Sequence, residues 1–360
     1  MTTAALGALD ALDRQRRRRQ SIALGVLAAG LVSSVLTGLG VGAVGIAPLQ
    51  CLAILGHALG LPLPWTYEPV QASVLLSIRL PRVVLGALTG ASLAASGAAL
   101  QALFRNPLAD PGLIGISNGA GVAAAGAIVL APPAVAAAFG GFLLPLAAFG
   151  GALVATMVVY RIATRDGRTE VATLLLAGIA LNAIAAAGIG LLIFLSTDQQ
   201  LRDLNFWLLG SLGGTTWQAL LPVIPCVTAP VLAIAVLAGP LNALLLGEDE
   251  AGHLGVPVER VKRIVVALVA LAVGAGVALT GIIAFVGLVV PHLLRLAIGP
   301  DHRIVLPGSI LLGATLMLFA DLLARTLVIP AELPVGVLTS CVGGPFFLWL
   351  LMRRRGVAIW

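Results

Sequence analysis

Three arginines are the side chains best suited to bind another molecule. Arg79 and Arg82 lie in the segment RLPR before an apolar stretch, and Arg325 follows another. Guanidinium groups form paired, charge-assisted hydrogen bonds with carboxylates. The distribution of charge along the chain places all three on the outer side of a membrane, where cations are otherwise scarce. We therefore expect them to dock an acidic partner, although arginines near the ends of apolar segments often reach lipid headgroups instead.

A second candidate contact region is residues 239–263, the longest loop on the opposite side. Its sequence predicts a short helix that ends at Gly255 and Pro257. Small and apolar residues would let this helix approach a partner closely, while its mixed charges are also typical of a solvated surface. The residues that we expect to contact the partner are Leu246, Gly247, Glu248, Ala251, Leu254 and Gly255.

Polar side chains inside the apolar segments are few. The candidates are Asn182, His292, Asp321 and Glu332, and an ionisable group inside a membrane is a functional candidate. His292 and Asp321 lie near helix breaks or ends, so these two side chains are equally consistent with satisfying backbone groups. Neither a triad of nucleophile, base and acid nor a pair of carboxylates can be derived from their spacing. The sequence therefore predicts no enzyme.

The sequence contains one lysine, Lys262, and Arg263 follows it. A phosphate-binding P-loop requires a lysine followed by serine or threonine, so ATP hydrolysis is expected only on a partner chain. Cys51, Cys226 and Cys341 are far apart in apolar surroundings and have no zinc or redox spacing. We expect no cofactor or metal bound by this chain. We also expect no nucleic-acid partner, because membrane topology accounts for the excess of basic residues.

These residues belong to a very apolar chain. Of its 360 residues, 59% are hydrophobic and 10% are charged, whereas soluble domains carry about 25% charged residues. This composition excludes a soluble enzyme, a disordered chain and a disulfide scaffold. A membrane span needs about 20 apolar residues, and charges and prolines divide the chain into ten candidates. The predicted spans are 21–45, 74–103, 113–131, 141–160, 171–195, 217–238, 264–281, 284–298, 304–327 and 334–352.

The basic residues predict how these spans are oriented. Five arginines occur within residues 14–19 and three more at 353–355. With ten spans, both groups lie on one side, and only four of the 21 lysines and arginines remain on the other. Cytoplasmic loops are enriched in these residues. We therefore expect an all-α, multi-pass protein with both termini in the cytoplasm. Its parts would be a basic segment 1–20, one transmembrane domain 21–353, and the cytoplasmic loop 239–263 within that domain.

Further patterns concern packing and repetition. The spacing of Gly86 and Gly90 predicts a close contact between helices. Prolines in the stretch 104–119 predict a packed turn, because irregular backbone at membrane depth is tolerated only inside protein or beside a water-filled cavity. The segments RLPR at 79–82 and RVKR at 260–263 each open a span rich in glycine and alanine. On the ten-span topology these spans run in opposite directions, which predicts an inverted repeat.

Three long segments closely resemble the permease subunits of the ABC importers for iron-siderophores, haem and vitamin B12. They are RLPRVVLGALTGASLAASGAALQALFRNPLADPGLIGISNGAG at 79–121, AFVGLVVPHLLRLAIGPDHRIVLPG at 284–308 and ELPVGVLTSCVGGPFFLWLL at 332–351. The resemblance implies a type II importer fold and a homodimer of ten-span subunits with its pathway at the dimer axis. It further implies two ATP-binding subunits that hold ATP and Mg²⁺, and a periplasmic binding protein.

The same resemblance implies roles for residues already singled out. Arg79 and Arg82 match the arginines of an RxPR motif, and Arg325 matches the arginine before a periplasmic ELPxG turn. In the vitamin B12 member these positions face glutamates on the binding protein. The loop around Leu246–Gly255 matches the coupling helices that enter the ATP-binding subunits. The chain is therefore expected in the bacterial inner membrane, without an ATPase site of its own.

The substrate is indicated less clearly than the family. The segment DQQLRDLNFWLLGSLGG at 198–214 is most similar to the haem branch, and the vitamin B12 branch has a similar run. Haem is the expected substrate, with ferric siderophores and cobalamin as alternatives. Neither Tyr67 nor Tyr160 falls in a recognisable haem-ligand motif. A different class, the ion-coupled secondary transporter, would need an acid pair or a broken-helix ion site, and most predicted spans have no acid at their centre.

A pathway for haem must not hold this flat, mostly apolar ring tightly, because tight binding would prevent release. The fifth predicted span, 171–195, is rich in small and aliphatic residues. We expect it to line a two-fold pathway together with the short helix that follows, and helix packing is the alternative explanation. The candidate pathway residues are Ala177, Gly178, Leu181, Asn182, Ala185 and Gly188.

Overall fold

The computed structural model describes residues 3–61, 63–328 and 331–353, which are mostly helical. The α-helices are α1 (Thr3–Gly40), α2 (Pro48–Ala58), α3 (Pro69–Val74), α4 (Leu80–Leu103), α5 (Ile116–Leu130), α6 (Pro133–Phe139), α7 (Leu143–Ala163), α8 (Val171–Leu195), α9 (Asp198–Leu209), α10 (Trp217–Val236), α11 (Ala238–Leu244), α12 (Glu248–His253), α13 (Val258–Thr280), α14 (Val286–Ile298), α15 (His302–Ala324) and α16 (Val335–Arg353). A π-helical turn (Leu75–Arg79) joins α3 to α4, and 3₁₀ turns occur at Pro111–Ile114 and Gly140–Phe142. Strands β1 (Thr164–Arg165) and β2 (Arg168–Thr169) form an antiparallel pair.

Seven helices among the described residues are long and apolar enough to cross a membrane. The shorter helices α5, α14 and α16 occupy the three remaining predicted spans. The prediction of an all-α, multi-pass fold with about ten spans is therefore confirmed. Two features differ from it. Helix α1 runs through the arginines instead of beginning after them, and α2 is an apolar helix that the sequence does not predict. Arg354 and Arg355 lie outside the described residues.

Helix α4 is the central element of the fold. Beyond Arg82 it carries no charged residue, and most of its residues are buried against α10, α13, α14 and α15. Glycines bring backbones into direct contact there: a Cβ atom added to Gly90 would overlap the backbone of Gly313, and one added to Gly97 would overlap the backbone of Gly287. The close contact predicted at Gly90 is confirmed. Small residues permit such contacts where lipid provides no hydrophobic drive.

Two parts of the chain share one order of elements. The 24-residue α4 leads through an irregular turn to the 15-residue α5, and the 23-residue α13 leads through another turn to the 13-residue α14. A left-handed residue precedes each short helix: Gly115 with φ 85° and Phe285 with φ 69°. Positive φ is rare for an aromatic residue, so this shared turn supports an internal repeat. The opposite direction of its halves remains a prediction.

A tight hairpin connects α7 to α8. Its two turn residues, Asp166 and Gly167, have φ 50° and 77°, which matches the turn geometry of short hairpins. The backbone pairs Thr164 with Thr169, and Oγ1 of Thr169 donates to the hydroxyl of Tyr160 at 3.1 Å. Thr169 is thereby held two residues before α8 begins.

The predicted short helix after the fifth span is present as α9. Its first turn is closed by a capping box, in which the Thr197 hydroxyl accepts the N–H of Gln200 at 3.4 Å and the Gln200 side chain accepts the N–H of Thr197 at 2.9 Å. The Gln200 amide also donates to the carbonyl of Ile128 at 3.1 Å, which fastens α9 to α5. Leu204 is buried and Phe206 is exposed.

Candidate functional site

Arg79 binds the C-terminal end of α1. Its Nη1 donates to the carbonyl of Leu39 at 2.6 Å and to that of Gly40 at 2.9 Å, and its Nη2 donates to the carbonyl of Val44. Only 5% of the residue is exposed. The last carbonyls of a helix lack intrahelical donors and carry partial negative charge. Arg79 therefore caps α1 from the π-helical turn.

Arg325 caps the same helix from a second direction. It follows α15, and its Nη2 donates to the carbonyl of Gly38 at 2.6 Å. Its Nε lies 3.7 Å from Oδ2 of Asp321, one helical turn earlier. Two cations from different parts of the chain thus converge on consecutive carbonyls of α1, where the helix dipole favours positive charge.

Arg82 forms ion pairs with two acids, Asp321 and Glu332. Its Nε and Nη2 both lie 2.9 Å from Oδ1 of Asp321, and its Nη1 donates to both carboxylate oxygens of Glu332 at 2.9 and 3.1 Å. Asp321 is buried on α15, whereas the Glu332 side chain is 48% exposed. This network joins α4, α15 and the turn before α16. Its exposed member is an acid rather than an arginine.

The structure therefore places Arg79, Arg82 and Arg325 differently from the sequence interpretation. All three guanidinium groups are turned inward and bonded within the chain, rather than standing unpartnered on the outer surface. Asp321 and Glu332, which the sequence presents as separate polar residues, are partners of these arginines. The signal that could have revealed this is the presence of two acids, Asp321 and Glu332, within seven residues of Arg325 in otherwise apolar sequence, since buried charges are paired. A role in docking remains a prediction.

The predicted helix in the loop 239–263 is present but shorter than expected. Helix α12 has six residues and follows the separate α11, and Gly247 and Gly255 flank it with φ 132° and 81°. Leu246 and Leu254 are each 65% exposed and stand at its two ends. Exposed leucines on both sides of a short helix form an apolar surface that a partner could cover.

Two of the predicted contact residues are engaged within the chain instead. Ala251 is completely buried, so it presents no surface to a partner. The carboxylate of Glu248 binds Nζ of Lys262 at 2.6 Å. On the other side of the loop, Asn242 of α11 donates to Oδ1 of Asp301 at 2.7 Å and accepts the backbone N–H of His302 at 2.8 Å. Helices α11 and α12 are therefore held in place from two directions.

The six pathway candidates of α8 lie on its packed face. Gly178 and Ala185 are buried, and a Cβ atom on Gly178 would overlap the carbonyl oxygen of Leu113. The amide of Asn182 donates to the carbonyl of Gly112 at 3.0 Å. Ala177, Leu181 and Gly188 are half-buried. Small residues are therefore used here for packing against the 3₁₀ turn and α5. The opposite face exposes Leu176, Ile179, Ile184, Leu191 and Phe194.

The turn between α4 and α5 is packed, as its prolines predict. Ala109 and Ile114 are fully buried, and the side-chain amide of Gln101 donates to the carbonyl of Ala109 at 3.2 Å. A carboxylate oxygen of Asp110 accepts the N–H of Gly112 at 2.8 Å and caps the 3₁₀ turn. Burial raises the pKa of Asp110, and the hydrogen bond from Gly112 opposes this rise.

The described residues include no group of three histidine, cysteine, aspartate or glutamate side chains that could hold a metal ion. What the sequence interpretation missed is Lys262, which it uses only to exclude a P-loop. Lys262 is 2% exposed and binds Glu248 and Glu259. Its i,i+3 spacing from Glu259 was a visible signal, but the second acid belongs to another helix.

Comparison with known proteins identifies the family. Residues 30–353 match the model of the FecCD transport family. The chain belongs to the FecCD transport family. Its members are permease subunits of ABC importers in which ATP is hydrolysed by a separate subunit, so this chain is a multi-pass inner-membrane permease and not itself the ATPase. The type II importer fold and the family resemblance are thereby confirmed.

The names of individual relatives of this FecCD permease state different substrates. The hemin transport system permease HmuU of Yersinia pestis is 49% identical over 281 residues, 78% of this chain and 83% of that protein. The cobalamin import permease BtuC of Halobacterium salinarum is 44% identical over 288 residues, 80% of this chain and 76% of its own length. The vitamin B12 import permease BtuC of Klebsiella pneumoniae is 45% identical over 280 residues, 78% and 82% of the two chains.

One solved structure extends this agreement to the fold. A metal-chelate-type ABC transporter in an inward-facing conformation superimposes with a TM-score of 0.79 at 31% sequence identity, and the match covers 92% of this chain and 98% of that one. Almost every element of the FecCD permease described above therefore has a counterpart. FecCD permeases work with ATP-binding subunits and a substrate-binding protein, so this chain is one component of a larger importer.

Proposed function

We propose that this FecCD permease moves haem from the periplasm to the cytoplasm. Two copies would enclose the pathway, two ATP-binding subunits would supply ATP hydrolysis, and a periplasmic protein would deliver haem. Both termini would lie in the cytoplasm. The observation that carries the choice of substrate is the 49% identity with the hemin permease over 83% of its length. Cobalamin is the second candidate, because the cobalamin and vitamin B12 permeases are 44–45% identical.

The exposed face of α8 is our proposed lining for the pathway. It carries Leu176, Ile179, Ile184 and Leu191, which can contact an apolar ring by dispersion without ligating its iron. A surface without strong ligands suits passage, because a substrate must be able to leave each site that it enters. The small residues on the opposite face would keep α8 firmly seated on α5 and the 3₁₀ turn.

Helix α12 is the proposed contact with the ATP-binding subunit. Leu246 and Leu254 would enter a cleft on that subunit, where burying both side chains would drive association. Glu248, Gly247 and Gly255 would shape the loop between them. ATP and Mg²⁺ would be bound by the partner and not by this chain.

The proposed docking point for the periplasmic protein is the network of Arg82 and Glu332, with Arg79 and Arg325 behind it. Glu332 is the half-exposed partner of Arg82. A carboxylate on the binding protein could replace it, because Arg82 offers a fixed fork of donors to any approaching carboxylate. Docking would then exchange one ion pair for another.

The substrate is tested by reconstituting the permease with its ATP-binding subunit and binding protein in proteoliposomes. ATP-dependent uptake of haem, cobalamin and a ferric siderophore is compared at equal concentration, with the permease alone as the control. Haem uptake at least tenfold above the other two supports the proposal. Preferred uptake of cobalamin or the siderophore contradicts it. Uptake that persists without the ATP-binding subunit and collapses with an ionophore would identify an ion-coupled carrier.

A further inference from the structure

The ammonium group of Lys262 joins three separate elements. Its Nζ donates to the backbone carbonyl of Thr169 at 2.8 Å, to Oε2 of Glu248 at 2.6 Å and to Oε1 of Glu259 at 3.0 Å. Thr169 belongs to β2, Glu248 is the first residue of α12, and Glu259 lies in the first turn of α13. An ammonium group has three N–H donors, and here each has an acceptor.

A second set of bonds closes this arrangement. Oε2 of Glu259 accepts the backbone N–H of Thr169 at 2.9 Å, so Glu259 binds both the lysine and the strand. Oγ1 of Thr169 reaches the hydroxyl of Tyr160 on α7 at 3.1 Å. The four residues Lys262, Glu248, Glu259 and Thr169 are called the lysine joint below. It ties α12 to the hairpin from which α8 starts.

The burial of Lys262 determines how the lysine joint responds when α12 is displaced. Only 2% of the residue is exposed, so water cannot replace a lost partner readily. A buried charge that loses one of its partners is strongly unfavourable. A shift of α12 would therefore carry Glu248, Lys262 and Thr169 with it rather than separate them. The neighbouring Arg260 and Arg263 are exposed and make no such connection.

We infer that Lys262 is a positioning residue that transmits movement of α12 to the β1–β2 hairpin and thus to α8. The inference rests on the proposed function, in which α12 contacts the ATP-binding subunit and α8 lines the pathway. Thr169 precedes α8 by one intervening residue, Glu170, whose backbone N–H binds the carbonyl of Ala163 at 3.0 Å. A displacement at the hairpin therefore reaches α8 without passing through a loop.

The test compares three variants in the complete importer. Lys262→Met removes the charge and keeps the length of the side chain, Lys262→Arg keeps the charge, and Arg263→Met is a matched control in the same turn. Substrate moved per ATP hydrolysed is measured in proteoliposomes. For Lys262→Met we expect this ratio to fall about tenfold, while ATP hydrolysis stays within about twofold of the unmodified importer. The ratio should recover to within about threefold of the unmodified value in Lys262→Arg and should not change in Arg263→Met. An unchanged ratio for Lys262→Met overturns the inference, as does an equal loss of transport and hydrolysis.

A distance measurement keeps the inference separate from the choice of function. Spin labels are placed at the exposed positions Asp249 of α12 and Arg165 of β1, in a chain whose native cysteines are replaced, and the permease is bound to its ATP-binding subunit. The distance between the labels should stay constant with and without nucleotide, and should broaden or change by several ångströms in Lys262→Met. Identical distributions in both proteins contradict the joint. An importer that shows no ATP-driven uptake contradicts the proposed function alone, and the distances still decide the joint.

Discussion

Arg82 and Asp321 are 239 positions apart in the sequence, yet Nε of Arg82 donates to Oδ1 of Asp321 at 2.9 Å. The pair lies at one end of the contact between α4 and α15. Further along the same contact, the backbones of Gly90 and Gly313 touch. The ion pair and the glycine contact together fix the position of α4 along the axis of α15. Both features depend on the correct partner helix, so neither could form in a misaligned bundle.

The buried half of the network should dominate its contribution to stability. Asp321→Ala leaves Arg82 with one half-exposed partner, and breaking a buried pair costs about 3–5 kcal/mol. Glu332→Gln alters a half-exposed pair and should cost about 1 kcal/mol or less. Thermal unfolding of the purified permease in detergent would rank the two variants. A larger loss for Glu332→Gln would show that the exposed pair, and not the buried one, holds the turn before α16.

Glu332→Gln should also alter docking. If the binding protein's carboxylate takes the place of Glu332 beside Arg82, removing the competing charge should strengthen docking severalfold at low salt. The gain should shrink as salt rises, because exposed charges are screened. Titration of the binding protein onto immobilised permease measures this, with Glu68→Gln, an exposed acid that forms no ion pair with these arginines, as the control. Weaker docking would mean that Glu332 itself contacts the binding protein.

The sequence predicts the membrane spans well, because the length of an apolar segment and the absence of charged residues within it are local properties of the sequence. The sequence also singles out Arg82 as an important cation, but it places the guanidinium group on the outer surface rather than against two acids of the same chain. Whether a guanidinium group points outward or inward depends on acids from α15 and the following turn, and their approach is a tertiary event. The same limit applies to α8, where density of small residues does not reveal which face packs against Gly112 and Leu113.

The two exposed leucines beside α12 should matter for assembly and not for folding. Replacing Leu246 and Leu254 with serine should weaken binding of the ATP-binding subunit by at least tenfold, because burying a leucine contributes about 1.5–3 kcal/mol. Unfolding of the permease itself should be unchanged. Copurification of the tagged ATP-binding subunit provides the measurement.

The fully buried Ala251 is the contrasting position in that loop. Ala251→Trp should unfold or misfold the permease before any partner is added, because a buried site without space cannot accept a larger side chain. If the leucine variants assemble normally while a folded Ala251→Trp permease does not, the partner surface lies on the other side of α12.

Gly97→Ala should be among the most damaging small substitutions in the chain. The added methyl group would collide with the backbone of Gly287, so α4 and α14 would have to separate, at a cost of about 1–3 kcal/mol or more. Gly126→Ala in α5 is the matched control, since the added carbon would have no atom of another helix within 4 Å. That change should be neutral or stabilise the helix by up to about 1 kcal/mol. Comparable thermal stabilities for the two variants would argue against the backbone contact.

Asp110 provides a prediction about pH. Because burial raises its pKa in the folded protein above the ordinary value of 3.8, the folded state binds this proton more tightly than the unfolded state does. Its contribution to stability is complete below pH 3.8 and is lost as the pH rises through the folded-state pKa. Asp110→Asn keeps an acceptor for Gly112 without the charge, so it should gain stability relative to the parent as the pH rises. Thermal unfolding of both proteins between pH 4 and 8 measures the difference, and Asp110→Ala should be less stable than Asp110→Asn throughout.

The isolation of Lys262 has a practical consequence for anyone labelling this permease. Amine-directed reagents find a single lysine side chain in the sequence, and that one is 2% exposed and bonded to three acceptors. Acylation needs a free, uncharged amine, so the resting side chain should be almost inert. Any state in which α12 separates from the hairpin would release that amine and make it reactive. Peptide mass spectrometry of 258–280 after brief acylation would then register the opening as a single modified residue, without engineered probes.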